Sequence, residues 1–460
     1  MFIDKGQLLS DLNQLYTSQI TRTVSLYSHP GMGKTRLLQE FSQGKNILYF
    51  KTPALPFEEI FSLFKQLCIR RLGASCENAK KFTDLFKVLS KASVNEPMVL
   101  ILDDFTNWTA GNRRFPSMLQ TLVQRADPKS RLLVLLCKPA ALYEKERAKE
   151  ASAFLLTPFS FFEMRKLYPN MTQEEQLLLY YITGGVPAYL KYFPADCSVQ
   201  EKIRELFFRT DGIFYRLTET RTREYYSASP IMRAILASIG NSTRKLQEIC
   251  DCTELTPSAA GSLLSSLASR NLVSRIVPVT ENQGSRRALY LICDHVFRFW
   301  YTCVLPYLSE IEMGEGDKIF EEQIVPLLEN YEKDTFPDIC REFLELEEKM
   351  HTAPFSLQRI GRWWGQHPTK KRTEYISIAA CSRDKILLGA CFWTEEWLDV
   401  DTLYDLQKHA SLFPDEEQWY YLFSKSDFVS GFETISGNHV HVFSLEKMCS
   451  LADAYLDSTV

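Results

Sequence analysis

Up to about residue 160, short apolar runs alternate with stretches whose apolar residues recur at helical spacing. The runs at 24–27, 47–51, 99–102, 132–137 and 154–156 are the strand candidates. Strands separated by helices predict parallel pairing with right-handed crossovers, hence an α/β sheet covered on both faces. From about 160 to 225 the pattern becomes helical, broken once at Gly184-Gly185-Val186-Pro187. Residues 228–300 read as short helices followed by runs at 272–279 and 288–292 about a turn at Gly284, the order of a winged helix. The acidic, Gly-bearing stretch 309–317 reads as a linker. Beyond it, strands at 374–381, 385–393 and 419–426, with a helix at about 400–412, predict a second, smaller α/β domain.

A chain of 460 residues exceeds a single core, so two or three domains are expected. Apolar residues make up 45% and charged residues 24%, ordinary for a globular protein. The net charge of −4 gives no global pull toward nucleic acid or an anionic membrane, although a local basic face remains compatible with it. The longest apolar runs fall far short of the roughly 20 residues of a membrane span. The opening Met1-Phe2-Ile3-Asp4-Lys5 has no basic-then-apolar signal pattern. Twelve cysteines are scattered without a C-x-x-C pair, and Cys250 and Cys252 lack a second pair that could complete a zinc site. Reduced thiols in a cytoplasmic protein are expected.

Chemistry concentrates where the first strand meets the following helix. Leu26-Tyr27-Ser28-His29-Pro30-Gly31-Met32-Gly33-Lys34-Thr35 has the strand–loop–helix context of a P-loop. Gly31 and Gly33 let backbone N–H groups turn toward phosphates, and the helix start adds its own N–H groups and dipole. Lys34 is expected on the β- and γ-phosphates of ATP, and Thr35 on Mg²⁺. Ser28 stands where the consensus has its first glycine. Residues 98–102 lead into Asp103-Asp104. Asp103 is expected to hold Mg²⁺ through its water shell, and Asp104 to orient an attacking water, with one methylene less reach than the usual glutamate.

The chain resembles the archaeal-type ATPase family, which also occurs in bacteria and belongs to the STAND-like branch of P-loop NTPases. The resemblance rests on Phe2-Ile3-Asp4 with Leu8-Leu9, the P-loop, 97–105 and Ser117-Met118-Leu119-Gln120. It is more specific over 156–163, and most specific over Tyr180-Tyr181-Ile182-Thr183-Gly184-Gly185-Val186-Pro187. Residues 271–275, Tyr290 and 294–301 resemble the family's winged helix and its exit; 360–364 and 423–428 resemble its C-terminal domain. The implied layout is a P-loop core over 1–160, a helical lid over 161–227, a winged helix over 228–308 and a PD-(D/E)XK nuclease-like domain over 318–460. Gly185 and Pro187 look like the element with which the lid senses nucleotide, the alternative being a plain helix break.

Three departures matter. The family has a small polar sensor after the fourth strand; here Lys138-Pro139 follows, with Lys138 the one candidate substitute. No arginine finger is assignable, although Arg147 lies in the right region. In the C-terminal domain the catalytic positions fall on Ser377, Ala390, Phe392 and Pro337, leaving no carboxylates for a metal. Glu374 or Asp384 could act only from shifted positions.

The winged-helix stretch 256–270 carries a single cation. Arg244-Lys245 and Arg286-Arg287 supply a few charges for weak, salt-sensitive DNA contact, and an interdomain or protein contact is equally compatible. His439 and His441 share one face of a terminal strand, with no third ligand near in sequence. The expectation is an ATP- or ADP-bound, Mg²⁺-dependent switch for DNA or a protein partner (a second copy included), with slow or partner-activated hydrolysis and an inactive nuclease-like domain. The rival is a DNA-binding regulator with a relic ATP site.

Overall fold

The computed structural model describes residues 6–18, 20–216, 229–240, 242–282, 284–328, 330–367, 371–432 and 439–458. Residues 1–5, which open the family resemblance, and 217–227 of the expected lid lie outside them. Two compact units divide the chain between Pro158 and Phe159.

The first unit is α/β. Strands β1 (Arg22–Ser28), β2 (Asn46–Lys51), β3 (Met98–Asp103), β4 (Leu132–Pro139) and β5 (Ala153–Leu156) form one sheet in the order β2-β3-β4-β1-β5. Every pairing is parallel. The pattern's cause is burial on both faces: all six residues of β3 and the first six of β4 are buried, so each reads as an unbroken apolar run. Helices α1 (Gly6–Thr17), α2 (Lys34–Phe41), α3 (Phe57–Leu72), α4 (Phe82–Asn95) and α5 (Phe115–Gln124) are the longer ones of this unit. Leu48, Phe50, Leu100 and Leu102 pack with Phe64, Phe82, Trp108 and Phe115 in one core cluster. The Trp108 and Phe115 rings stack there at 4.7 Å. The alternate residues Tyr49, Ile101 and Asp103 are therefore left for the other face.

In the second unit, α6 (Gln173–Thr183) begins at Thr172, whose side chain and backbone exchange hydrogen bonds with Glu175, and ends at Gly184 in the left-handed region. Helices α7 (Pro230–Ile239), α8 (Leu246–Thr253) and α9 (Pro257–Ser269) accompany a three-stranded antiparallel sheet of β6 (Arg244–Lys245), β7 (Val273–Ile276) and β8 (Leu289–Ile292), in the order β6-β8-β7. A separate mixed sheet has the order β13-β12-β11-β10-β9, from β9 (Arg359–Gln366), β10 (Thr373–Cys381), β11 (Lys385–Phe392), β12 (Glu417–Ser424) and β13 (Val440–Ser444). The β9–β10 and β10–β11 pairs are antiparallel; β11–β12 and β12–β13 are parallel.

Against one face of that sheet lies α10 (Tyr331–Met350), which buries Phe336, Ile339, Cys340, Phe343 and Leu344 at helical spacing beside Phe423 and Phe443. Helix α11 (Val400–Gln407) contributes Leu403 and Leu406 to the opposite core with Trp363, Ile376 and Leu388. Helix α12 (Leu445–Ser458) closes the described chain.

The stretch 309–317 is not a linker. Most of it lies in two short helices, Leu308–Glu312 and Gly316–Ile319, joined by an exposed turn over 313–315, with Ile311 and Gly316 buried. A Cβ on Gly316 would meet the Phe208 carbonyl oxygen at 1.8 Å, so glycine here serves close packing. Among the described residues no helix is long and apolar enough to cross a membrane.

Candidate functional site

Strand β1 ends at Ser28 and α2 begins at Lys34, so the glycine-bearing loop occupies the carboxyl end of a parallel sheet, where ligands gather. Gly31 and Gly33 have φ of 88° and 81°, a region that L side chains reach only under strain. Gly33 caps α2 without any side-chain hydrogen bond to the first turn, leaving that turn's N–H groups for another acceptor. Met32 is buried and pins the loop, while Thr35 is exposed with no side-chain partner among the described residues.

Strand β3 delivers Asp103 to the same place. The Lys34 ammonium donates to Asp103 Oδ1, the Asp104 amide donates to the same oxygen at 2.9 Å, and the Tyr49 hydroxyl donates to Oδ2 at 2.8 Å. Burial pulls the Lys34 ammonium down, but the Asp103 carboxylate outweighs it and holds Lys34 above its ordinary value. Burial likewise raises Asp103, and Lys34 with Tyr49 more than reverses this, so both members of the pair are charged. Asp104 adopts φ 52° and stays half exposed, with Oδ1 3.8 Å from Lys34 Nζ. Lys34, Asp103 and Asp104 thus converge beside Gly31, Gly33 and Thr35. A phosphate chain with a divalent cation fits this set: a cation for phosphate, a carboxylate and a hydroxyl for metal, and glycine N–H groups between them.

Two residues enter unannounced by the sequence. Tyr49 is exposed on β2, and its role depends on β2 lying beside β3. Cys137 on β4 is fully buried next to Asp103 and Lys34; burial, then the Asp103 carboxylate, pushes its thiol far up, so it stays neutral. The only sequence signal for either was strand parity.

Lys138 does not reach the site as a substitute sensor. Its ammonium is tied to Glu146 at 2.8 Å and Glu150 at 2.6 Å, with 9% of the side chain exposed. Tyr27 and Ser25 donate to the same two glutamates. Arg147 pairs with Glu144 at 3.1 Å and sits over the Tyr143 ring.

Gly185 and Pro187 belong to the second unit. Gly184 and Gly185 have φ of 56° and 67°, and Pro187 opens the short helix Pro187–Leu190. The Phe159 amide donates to the Gly185 carbonyl at 2.9 Å, and a Cβ on Gly185 would meet the Phe159 oxygen at 1.9 Å. These contacts give the glycines a packing reason of their own.

Around β10, a register shift between Ile376 and Ala379 frees the Ser377 carbonyl, which accepts from Arg341 at 2.8 Å. Asp338 pairs with Arg341 and, at 3.1 Å, with Arg362. Ser377 Oγ lies 3.7 Å from Cys391 Sγ. Pro337 is inside α10, and Ala390 and Phe392 are on β11. Glu374 is engaged by Arg372 at 2.7 Å and His409 at 3.7 Å. His439 stacks on Trp419 at 4.3 Å, and His441 lies against Tyr421.

The segment between β7 and β8 is fastened to β9. The Val279 amide donates to the Arg362 carbonyl, Arg287 to the Trp364 carbonyl, and the Trp364 indole to the Arg287 carbonyl, at 2.9, 3.1 and 3.0 Å. Arg287 also pairs with Glu281, and Arg244 donates to the Ser238 carbonyl. Of the four cations suggested for DNA, Arg244 and Arg287 have internal partners; Lys245 and Arg286 are exposed.

A family model described as archaeal and bacterial proteins of unknown function matches residues 300–404. An uncharacterised protein of Methanocaldococcus jannaschii is 24% identical over 444 residues, covering 92% of this chain and 96% of the relative. Among solved structures, a Walker-type ATPase of Pyrococcus abyssi covers 65% of this chain and 96% of its own, at 15% identity and TM-score 0.45. Cdc6p of Pyrobaculum aerophilum covers 70% of this chain and 96% of its own, at 13% identity and TM-score 0.30. A STAND protein with a tetratricopeptide-repeat sensor from Pyrococcus horikoshii covers 74% of this chain and 50% of its own, at 15% identity and TM-score 0.28. These likenesses are loose, and the functional reading rests on the site's own residues.

Proposed function

We propose that this chain binds ATP with Mg²⁺ at the Gly31–Asp103 site and acts as a nucleotide-controlled switch. The observation that carries the reading is the charged pair of Lys34 and Asp103 at the head of a loop held open by two positive-φ glycines. Lys34 serves the β- and γ-phosphates, Thr35 and Asp103 serve Mg²⁺, and Asp104 is the candidate to orient water. Bound Mg²⁺ neutralises phosphate charge and polarises the terminal phosphoryl group. Gly185 and Pro187 sense the occupied state, and the helices joined to them carry it onward. Neutral Cys137 beside Asp103, and Lys138 held by two glutamates, favour slow hydrolysis that a protein partner or a second copy accelerates.

In this reading the helix–hairpin segment is a winged helix used as an internal brace, because its hairpin is fastened to β9 and two of its four cations have internal partners. That weakens the rival reading of a DNA-binding regulator with a relic ATP site. The mixed sheet with α10 is a nuclease-like domain without metal chemistry. A thermal-shift titration with ATP, ADP and Mg²⁺ tests the core of the proposal. A rise in melting temperature that requires Lys34 supports it; an unchanged melting temperature at millimolar nucleotide overturns it.

A further inference from the structure

We infer that Tyr49 is a positioning residue that fixes the orientation of the Asp103 carboxylate for metal binding. This rests on the ATP–Mg²⁺ reading of the site. The carboxylate has two oxygens in different circumstances. Oδ1 takes the Lys34 ammonium and the Asp104 amide; Oδ2 takes the Tyr49 hydroxyl at 2.8 Å. A phosphate chain competes for Lys34, and its arrival removes the cation from Oδ1. The bond from Tyr49 comes from a neutral hydroxyl, which a phosphate chain attracts less than an ammonium, so it persists and keeps the carboxylate from rotating.

The sheet explains why a tyrosine does this. In the β2–β3 register Tyr49 lies beside Ile101, and Lys51 beside Asp103. Tyr49 and Asp103 therefore share a face but stand two residues apart along the strands, about 6.6 Å. A phenol ring spans that step with its hydroxyl at the far end, and it does so with few rotatable bonds. Leu48 and Phe50 hold β2 in the core on the opposite face, which fixes where Tyr49 projects. Tyr49 itself is 41% exposed, so its hydroxyl is not needed to satisfy a buried core. Groups that hydrogen-bond a metal ligand from behind commonly alter metal affinity 10- to 100-fold.

The test is a Mg²⁺ titration of the ATP-induced thermal shift in the full chain. Wild type, Tyr49→Phe, Asn46→Ala and Lys34→Ala are compared, with ATP lacking Mg²⁺ as a further arm. Tyr49→Phe should raise the Mg²⁺ midpoint about tenfold while leaving the metal-free protein's melting temperature and the metal-free ATP response as in wild type. Asn46→Ala, on the same strand but beside Met98 rather than Asp103, should keep the wild-type midpoint. If wild type shows no ATP response, the site reading falls and takes this inference with it. If wild type responds, Lys34→Ala does not, and Tyr49→Phe keeps the wild-type midpoint, the inference alone is overturned. An equal midpoint shift in Asn46→Ala would also overturn it, since any change in β2 would then suffice.

Discussion

The Tyr180 hydroxyl donates to the buried carboxylate of Glu342, tying α6, the helix that leads into Gly184-Gly185, to α10 under the mixed sheet. The second Glu342 oxygen accepts from the Phe161 amide at 2.9 Å. Nearby, His295 Nδ1 donates to the Tyr181 carbonyl at 2.9 Å, and a Cβ on Gly184 would touch its ring at 2.8 Å. The residues flanking the proposed sensing element are thus held by the elements that support the C-terminal sheet. Tyr180, in the helix that precedes Gly185, is joined to α10 by its hydrogen bond to Glu342.

That tie should titrate. Burial raises the Glu342 carboxyl from 4.5 to about 7, against the bonds from Tyr180 and Phe161 and with help from Glu345 and Glu163. A carboxyl whose folded value lies above its unfolded one stabilises the fold fully below 4.5 and loses that contribution as pH rises through 7. The loss is on the order of 3 kcal/mol. Glu347, also raised to about 7 by burial, acts in the same direction. His295, lowered to about 3 by burial and then by Arg298, acts oppositely, costing stability as pH falls below 6.5. Wild type alone mixes these contributions, so the difference between wild type and Glu342→Gln isolates one. That difference in unfolding free energy should move against wild type between pH 5 and pH 8; parallel pH curves would show that Glu342 does not change charge there.

Much of the first unit was legible because its central strands β3 and β4 are buried on both faces and announce themselves as apolar runs. The loop and Asp103 were legible because their chemistry is contiguous in sequence. Tyr49 and Cys137 were not, since each matters only through the strand beside it. Strand β9 escaped prediction because Arg359, Gly361, Arg362 and Gly365 interrupt any alternation; it is an edge strand steadied by the segment between β7 and β8. The stretch 309–317 misled by composition, since its glycines and acids hide one buried anchor, Ile311, and a glycine, Gly316, needed for close packing.

Lys34→Ala should abolish the thermal response to ATP with Mg²⁺, because it removes the cation for the phosphates. In the ligand-free protein it also leaves Asp103 buried without its counter-charge. A drop in the unliganded melting temperature is therefore expected, on the order of 1–3 kcal/mol for an unpaired buried group. Asp103→Asn should weaken the response chiefly when Mg²⁺ is present. Retention of a full shift in Lys34→Ala would place the nucleotide elsewhere.

Hydrolysis by the purified chain should be slow, on the order of 10⁻³ s⁻¹, as in P-loop NTPases that await an arginine from a partner. Arg147 is engaged by Glu144, and Lys138 by Glu146 and Glu150. Phosphate release near one per second, lost in Asp104→Ala, would show that the site is catalytically complete.

Gly185→Ala and Gly44→Ala separate packing from backbone strain. Both positions lie at positive φ, 67° and 68°, yet an added Cβ meets the Phe159 oxygen at 1.9 Å in one and nothing within 4 Å in the other. Gly44→Ala should cost only the left-handed penalty of about 1–2 kcal/mol. Gly185→Ala should cost more, because two backbone segments must part. Equal losses in chemical denaturation would show that Phe159 and Gly185 separate easily.

The mixed sheet should carry no nuclease activity. Cleavage assisted by Mg²⁺ or Mn²⁺ needs carboxylates that fix the ion and align water against phosphorus. Where the resemblance would place them stand Ser377, Ala390, Phe392 and Pro337. Serine offers one neutral oxygen, and the others offer no ligand. The surroundings oppose a cation as well. Arg341 and Arg362 both pair with Asp338, and Arg341 also donates to the Ser377 carbonyl, so guanidinium groups gather beside Ser377. A divalent ion would be repelled there at the short range where charges act strongly in a buried setting. Glu374, the acid nearest in sequence, is engaged by Arg372 and lies near His409, so its charge is partly answered. Plasmid and single-stranded DNA should therefore survive incubation with the full chain in either metal. Restoring acids at 377 and 390 should not recover cleavage while Arg341 and Arg362 remain. Cleavage by wild type that disappears in Glu374→Ala would reveal an acidic site assembled from that strand and overturn the expectation.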